Sequence, residues 1–171
     1  MDTAPSSPAS RIARHLLASH QQVRRAFPDA TRLAIQQAIS ASEAHHAGEI
    51  CFAVEPALQL GPVLRSQSAR ERAIELFSER QLWDTEHRNG VLVYLLMADR
   101  EVEIVADRGI HQAVGTPAWQ AICTAMEAAF RLGQFEAGVL RGIAAVTALL
   151  SQHFPLHGER RNELSDAPVL L

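Results

Sequence analysis

The chain is 171 residues long, 47% hydrophobic and 20% charged, with a formal net charge of −3. That composition predicts one domain with a buried core and lacks the strongly basic face that nucleic-acid binding requires. All 16 basic residues are arginine, which excludes a side-chain Schiff base, a Walker-type lysine and a Ser–Lys dyad.

Residues 1–10 are rich in Pro, Ser and Ala and read as a disordered N-terminus, without the basic and apolar regions of a signal peptide. Residues 11–30 form a helical extension. Ile12, Leu16 and Leu17 are its apolar positions, and Arg11, Arg14, Arg24 and Arg25 its basic ones. Packing on the domain is favoured over contact with an anionic membrane, because His15, Ser19 and His20 dilute the apolar face. Residues 31–155 form the main domain, which opens with a helix from Thr31 to His46 whose inner side carries Leu33, Ile35, Ala38, Ile39 and Ser42.

Glu49–Glu55 is a strand bounded by Gly48 and Pro56. After a loop, Ser68-Ala-Arg-Glu71 is a capping box that opens a helix to about Arg80. Ala69, Ala73, Ile74 and Phe77 fall on its inner side. Val91–Met97 is apolar almost throughout, as in a strand covered on both faces. Only Ala98-Asp99-Arg100 separates it from the alternating strand Glu101–Asp107, so the two form an antiparallel hairpin and Asp99-Arg100 has a structural role. Gly109 allows a tight turn. Thr116-Pro117 caps the next helix, Gly133 ends it, and a final helix from Phe135 carries Gly138 and Gly142 for close approach of a neighbour. Residues 156–171 read as a mobile tail. Cys51 and Cys123 lie in apolar patterns without a CxxC partner and read as buried free thiols. Trp83 and Trp119 are assigned to the core, and His15, His20, His153 and His157 to the surface.

One strand–helix–strand crossover plus a hairpin predicts a small mixed sheet inside a three-layer α/β/α sandwich, with extra N-terminal helices. No apolar run reaches the roughly 18 residues of a membrane span, and the expected location is cytoplasmic. No GxGxxG is present, so no nucleotide cofactor is expected.

In that order, Glu49-Ile50, Trp83, Asn89-Gly90-Val91-Leu92, Arg100-Glu-Val-Glu-Ile104, Trp119, Met126, Phe130, Gly133-x-Phe135, Gly138 and Gly142-Ile143 form a pattern over residues 31–154. The chain resembles the TPM domain, the phosphatase-like family of the thylakoid lumen and of photosystem repair. Exported members carry a signal peptide, a membrane anchor and a Gly-rich tail. Those features are not found in this sequence, and Asp107-Arg108-Gly109 stands where members tend to have Gly-Tyr-Gly. The expectation is an intracellular branch.

If the first strand runs parallel to 91–97 and the hairpin returns antiparallel, then Glu49, Asp84, Glu86, His87 and Asp107 converge on one sheet edge. Carboxylates gathered there repel unless a hard cation neutralises them. The resemblance implies a calcium-type site, so the candidate ligands of Ca2+ or Mg2+ are Glu49, Asp84, Glu86 and Asp107, with His87 and Arg108 able to meet an anionic group. The alternative is a solvated acidic rim bridged to Arg88 or Arg108.

The functional expectation is a module that binds a divalent cation or docks a protein partner, such as a membrane-protein complex. The competing one, which the resemblance implies, is a metal-assisted phosphatase acting on phosphate monoesters. No RHG or DxD motif supports the latter, and Asp84-Thr85-Glu86 is only a loose analogue.

Overall fold

A computed structural model describes residues 7–85, 88–156 and 165–171. In chain order the elements are α1 (Pro8–Leu17), α2 (His20–Ala26), α3 (Asp29–Ser42), β1 (Glu49–Glu55), α4 (Leu60–Leu64), α5 (Ala69–Glu79), β2 (Gly90–Leu96), β3 (Glu101–Ala106), α6 (Arg108–Val114), α7 (Thr116–Arg131), α8 (Phe135–His153) and β4 (Val169–Leu170). The sheet order is β3-β2-β1-β4. β1 runs parallel to β2, with Glu49 opposite Gly90, and β2 pairs antiparallel with β3, with Val91 opposite Ala106. The crossover and hairpin are those expected from the sequence.

The period-2 alternation of the strands sorts the core into two layers. Ile50, Phe52, Val54, Val91, Val93, Leu95, Val102 and Ile104 face one cluster, which also holds buried residues of α2, α3, α7 and α8. Cys51, Ala53, Leu92, Tyr94, Leu96 and Val105 face the other, built with Val63 of α4 and Ala69, Ala73, Leu76 and Phe77 of α5. Helices therefore cover both faces and the fold is an α/β/α sandwich. The Ser68–Glu71 capping box forms in both directions: the Glu71 N–H donates to Ser68 Oγ at 3.1 Å and the Ser68 N–H to Glu71 Oε2 at 2.8 Å. α7 starts one residue differently than expected: Gly115, at φ +80°, is the cap, and Thr116 and Pro117 are already helical. Gly138 and Gly142 let α8 lie close on α7, since a Cβ at either would come within 2.6 Å of Phe130 or 2.4 Å of Met126.

Both chain ends carry more structure than the sequence implies. The expected disordered segment 1–10 already contains the start of α1 at Pro8, because the Ser7 hydroxyl accepts the Ser10 N–H and proline suits the first helical position. Residues 1–6 lie outside the described residues. The expected helical extension over 11–30 is broken at Ala18, whose extended backbone ends α1 before Ser19 opens α2. In the expected tail 156–171, Val169–Leu170 pair with Ala53 and Val54 as a parallel fourth strand, and the Leu171 N–H donates to Val54 O at 3.0 Å. This is a correction to the tail assignment: Val169 and Leu171 pack on one core layer and Leu170 on the other. Leu33 and Ile74, assigned to inner sides, are 54% and 46% exposed, and Trp83 is 52% exposed. Trp119 is buried as expected, and both cysteines are free.

α1 and α2 clasp the hairpin tip from opposite faces. Ile12 of α1 packs on the α4–α5 layer, whereas Val23 of α2 and the adjoining Phe27 lie in the other. The contact is electrostatic as well. Asp99 at the tip accepts from Arg11 Nη2 at 2.8 Å and Arg14 Nη2 at 3.2 Å, and His15 Nε2 lies 3.2 Å away, off axis for a good hydrogen bond. His15 Nδ1 accepts the Leu58 N–H at 3.0 Å, so the proton of the neutral ring sits on Nε2, facing Asp99. His15 is thus a buried linker between α1, the 56–59 loop and the hairpin, and not a surface residue. Among the described residues no helix is long and apolar enough to cross a membrane.

Candidate functional site at the Glu49–Gly90–Asp107 edge

The parallel β1–β2 register puts Glu49 beside Gly90, and the Asp107 N–H donates to Gly90 O at 2.9 Å on the other side. Glu49, Gly90 and Asp107 therefore lie in one row across β1, β2 and the residue that follows β3, about 10 Å from end to end. Glu49 and Asp107 are the two sequence-predicted site residues that this edge brings together, and both are buried. One Asp107 oxygen accepts the Arg108 N–H at the start of α6, while Oδ2, also buried, has no hydrogen-bond partner among the described residues. Arg108 itself is exposed, as is Asp84.

Over the middle of the row lies the loop that follows α5. A Cβ at Gly90 would stand 2.1 Å from the Leu82 carbonyl oxygen and 3.6 Å from the Thr85 methyl. Only glycine leaves room for that oxygen between the two carboxylates. The loop is fixed from beneath: the Asn89 N–H donates to Thr85 Oγ1 at 3.1 Å, and Asn89 Nδ2 donates to Ala47 O at 3.1 Å. Thr85 and Asn89 are buried polar residues with no ladder role that would require them to be polar.

The remaining predicted site residues fare differently. Asp84 belongs to the covering loop, its N–H bonded to Gln81 O at 2.9 Å. Glu86 and His87 lie outside the described residues. Among the described residues no three His, Cys, Asp or Glu side chains are grouped closely enough to hold a metal. The donors at the row are nonetheless of one kind. The Glu49 and Asp107 carboxylates and the Leu82 carbonyl are all hard oxygens, which suit Ca2+ or Mg2+ and not a thiophilic metal. Sequence reasoning reached the two carboxylates and Gly90 through topology but missed the Leu82 carbonyl over that glycine and the buried Thr85. The Asn89-Gly90 pair was the available signal, since a glycine opening an otherwise fully apolar strand marks a close approach.

A family model described as the TPM domain matches residues 23–149. The chain belongs to the TPM domain family. The matched region spans β1, β2, β3 and α5, and so takes in the whole Glu49–Gly90–Asp107 row of this TPM domain. Among solved structures, this TPM domain is similar to the NMR structure of the BA42 protein from the psychrophilic bacterium Bizionia argentinensis. Identity is 26% and the TM-score 0.72, with 82% of this chain and 92% of that one covered. It is also similar in fold to the solution NMR structure of an N-terminal domain of a protein from P. gingivalis, at 17% identity and TM-score 0.60, covering 82% and 95%. No curated protein matches the chain.

Proposed function

We propose that this TPM domain is a divalent-cation-binding module, with Glu49 and Asp107 as the protein ligands of Ca2+ or Mg2+ at the sheet edge. The observation that carries the reading is the unpartnered, buried Asp107 Oδ2 in the same row as the Glu49 carboxylate, with the Leu82 carbonyl set over Gly90 between them. A bound cation would offset the negative charge of two carboxylates held in one row. The chain's own contribution is positional. The parallel register holds Glu49, the Gly90 O contact holds the Asp107 backbone, and the absent Cβ at Gly90 admits the carbonyl. Asp84 belongs to the loop over this edge and is a candidate to complete the oxygen shell, with Arg108 at its rim; Glu86 and His87, outside the described residues, are candidates from the sequence alone. Binding there would give a docking surface for a protein partner, including a membrane-protein complex.

Calorimetric titration with Ca2+ and Mg2+ tests the reading. Saturable heat is expected from the native chain, and its loss from Glu49→Gln and Asp107→Asn. At about 100 times Kd, binding stabilises by about 2.7 kcal/mol, a rise of roughly 5–10 °C in melting temperature for a chain of this size. No heat and no rise would sink it.

A second reading, phosphate-monoester hydrolysis assisted by the same cation, is favoured by Arg108, whose exposed side chain starts α6 directly beside Asp107. It predicts p-nitrophenyl phosphate turnover that needs Ca2+, Mg2+ or Mn2+ and disappears in the Asp84→Ala, Asp107→Ala double variant. Turnover that persists in the double variant, or none at all, leaves the binding module.

A further inference from the structure

At the far end of β2 from the carboxylate row, roughly 20 Å away along the strand, lies a cleft of about 1120 Å³ between α1–α2, the hairpin tip and the α7–α8 turn. It exceeds the 300–1,000 Å³ typical of small-molecule sites. Its floor is apolar, with Leu95 and Met97 from β2 and its end, and Phe130 and Phe135 from the helix turn. The two rings stack with centroids 5.3 Å apart, and Phe27 meets Phe135 edge-on at 5.6 Å. Leu17 lines the cleft while 77% exposed, an apolar side chain left in water at its mouth.

The polar lining is unbalanced: four arginines stand against two glutamates. Both glutamates are already engaged. Glu127 accepts from the Val102 N–H at 3.1 Å and from Arg131 at 3.2 Å, and Glu136 accepts from the Thr31 hydroxyl at 2.5 Å. Arg14 is committed to Ala98 O and Asp99. The Arg25 and Arg100 side chains have no hydrogen-bond or ion-pair partner among the described residues. Arg100 sits at φ +59°, a conformation that glycine or asparagine adopts at less cost. The cleft thus combines a long apolar floor with two uncompensated guanidinium groups.

We propose that this cleft binds a single-chain amphiphile. The alkyl chain lies over Leu95, Met97, Phe130 and Phe135, and the anionic head meets Arg25 and Arg100. The floor rewards a chain in proportion to the apolar area it covers, and a planar guanidinium suits a carboxylate or phosphate. The site is independent of the cation reading, since it shares no residue with the Glu49–Asp107 row.

Calorimetry on the full chain with sodium dodecanoate below its aggregation concentration is the test. Saturable binding of one molecule per chain is expected, weakened at least about tenfold in the Arg25→Ala, Arg100→Ala double variant and, separately, in Ala137→Trp, which fills the cleft from an exposed helix position. Dodecyl maltoside below its micelle concentration and sodium butyrate should each bind at least about tenfold more weakly, because one lacks the charge and the other the chain. Unchanged melting temperatures show that the variants fold, and a loss of binding in either folded variant supports the site. The proposal is overturned by an absence of saturable heat, by equal affinity for the neutral amphiphile, or by affinity indifferent to both variants. Binding seen only with anionic vesicles also overturns it and identifies a membrane-contacting surface instead.

Discussion

Replacing Gly90 by alanine isolates the close approach on which the candidate site depends. Gly90 is not in the left-handed region, so alanine meets no backbone strain, and wherever space allows such a change stabilises by about 0.4–1 kcal/mol through the unfolded chain. Here the added Cβ would stand 2.1 Å from Leu82 O and 3.2 Å from Leu82 C. Ordinary contact needs the carbonyl to retreat by roughly 1 Å, and a backbone atom cannot swing aside as a side chain would. The retreat pulls on the Leu82 N–H bond to Phe77 O (3.1 Å), on the Asn89–Thr85 bond (3.1 Å) and on the Leu82 side chain, which is 2% exposed in the α5 layer. Overpacking of this kind costs about 1–3 kcal/mol, which for a chain of this size lowers the melting temperature by roughly 2–12 °C. Thermal unfolding followed by circular dichroism measures it. A Gly90→Ala chain that melts at or above the native temperature would refute the placement of the Leu82 loop over the sheet edge, because the two accounts differ in sign.

Asp99→Ala should cost about 1–3 kcal/mol and speed proteolytic cleavage within residues 7–27, since it releases Arg11, Arg14 and His15 together. Burial opposes ionisation of Asp99, but the hydrogen bonds and charge of Arg11 outweigh it and hold its carboxyl below the usual carboxylate value. Its stabilising contribution is therefore full above that value, near pH 4, and is lost as the pH falls through the lower folded value. In acid melts Asp99→Asn should lack that component. Burial pushes the Cys51 thiol up to about 11 and the Cys123 thiol up to about 12. Thiol-reactive dyes at pH 8 should label the native chain far more slowly than the chain in denaturant, and comparable rates would place at least one thiol outside the core.

How much of this was readable in advance varies with the range of the interaction. β2 and β3 could be read locally, from an unbroken apolar run, an alternating run and a connection too short for anything but a hairpin. The Ser68–Glu71 box is likewise a four-residue signal. Glu49 and Asp107 became neighbours on paper because topology alone determines which strand ends share an edge. What escaped depends on contacts between distant segments. The His15–Asp99 link joins residues 84 positions apart, and neither residue type announces a partner. β4 is two residues long and is a strand only because β1 offers it an open edge. Leu33 and Ile74 fit helical spacing but lie where the neighbouring elements do not reach. The Leu82 carbonyl had no signature of its own, only the glycine opposite it.

The row formed by Glu49, Gly90 and Asp107 carries the proposed cation binding. Crystals grown with Mn2+ as an anomalous stand-in for the native cation test it most directly. The expected result is one strong anomalous peak above Gly90, within roughly 2.0–2.6 Å of oxygens from both carboxylates. A peak elsewhere on the molecule, or no peak while the two carboxylates turn away from each other, would contradict it.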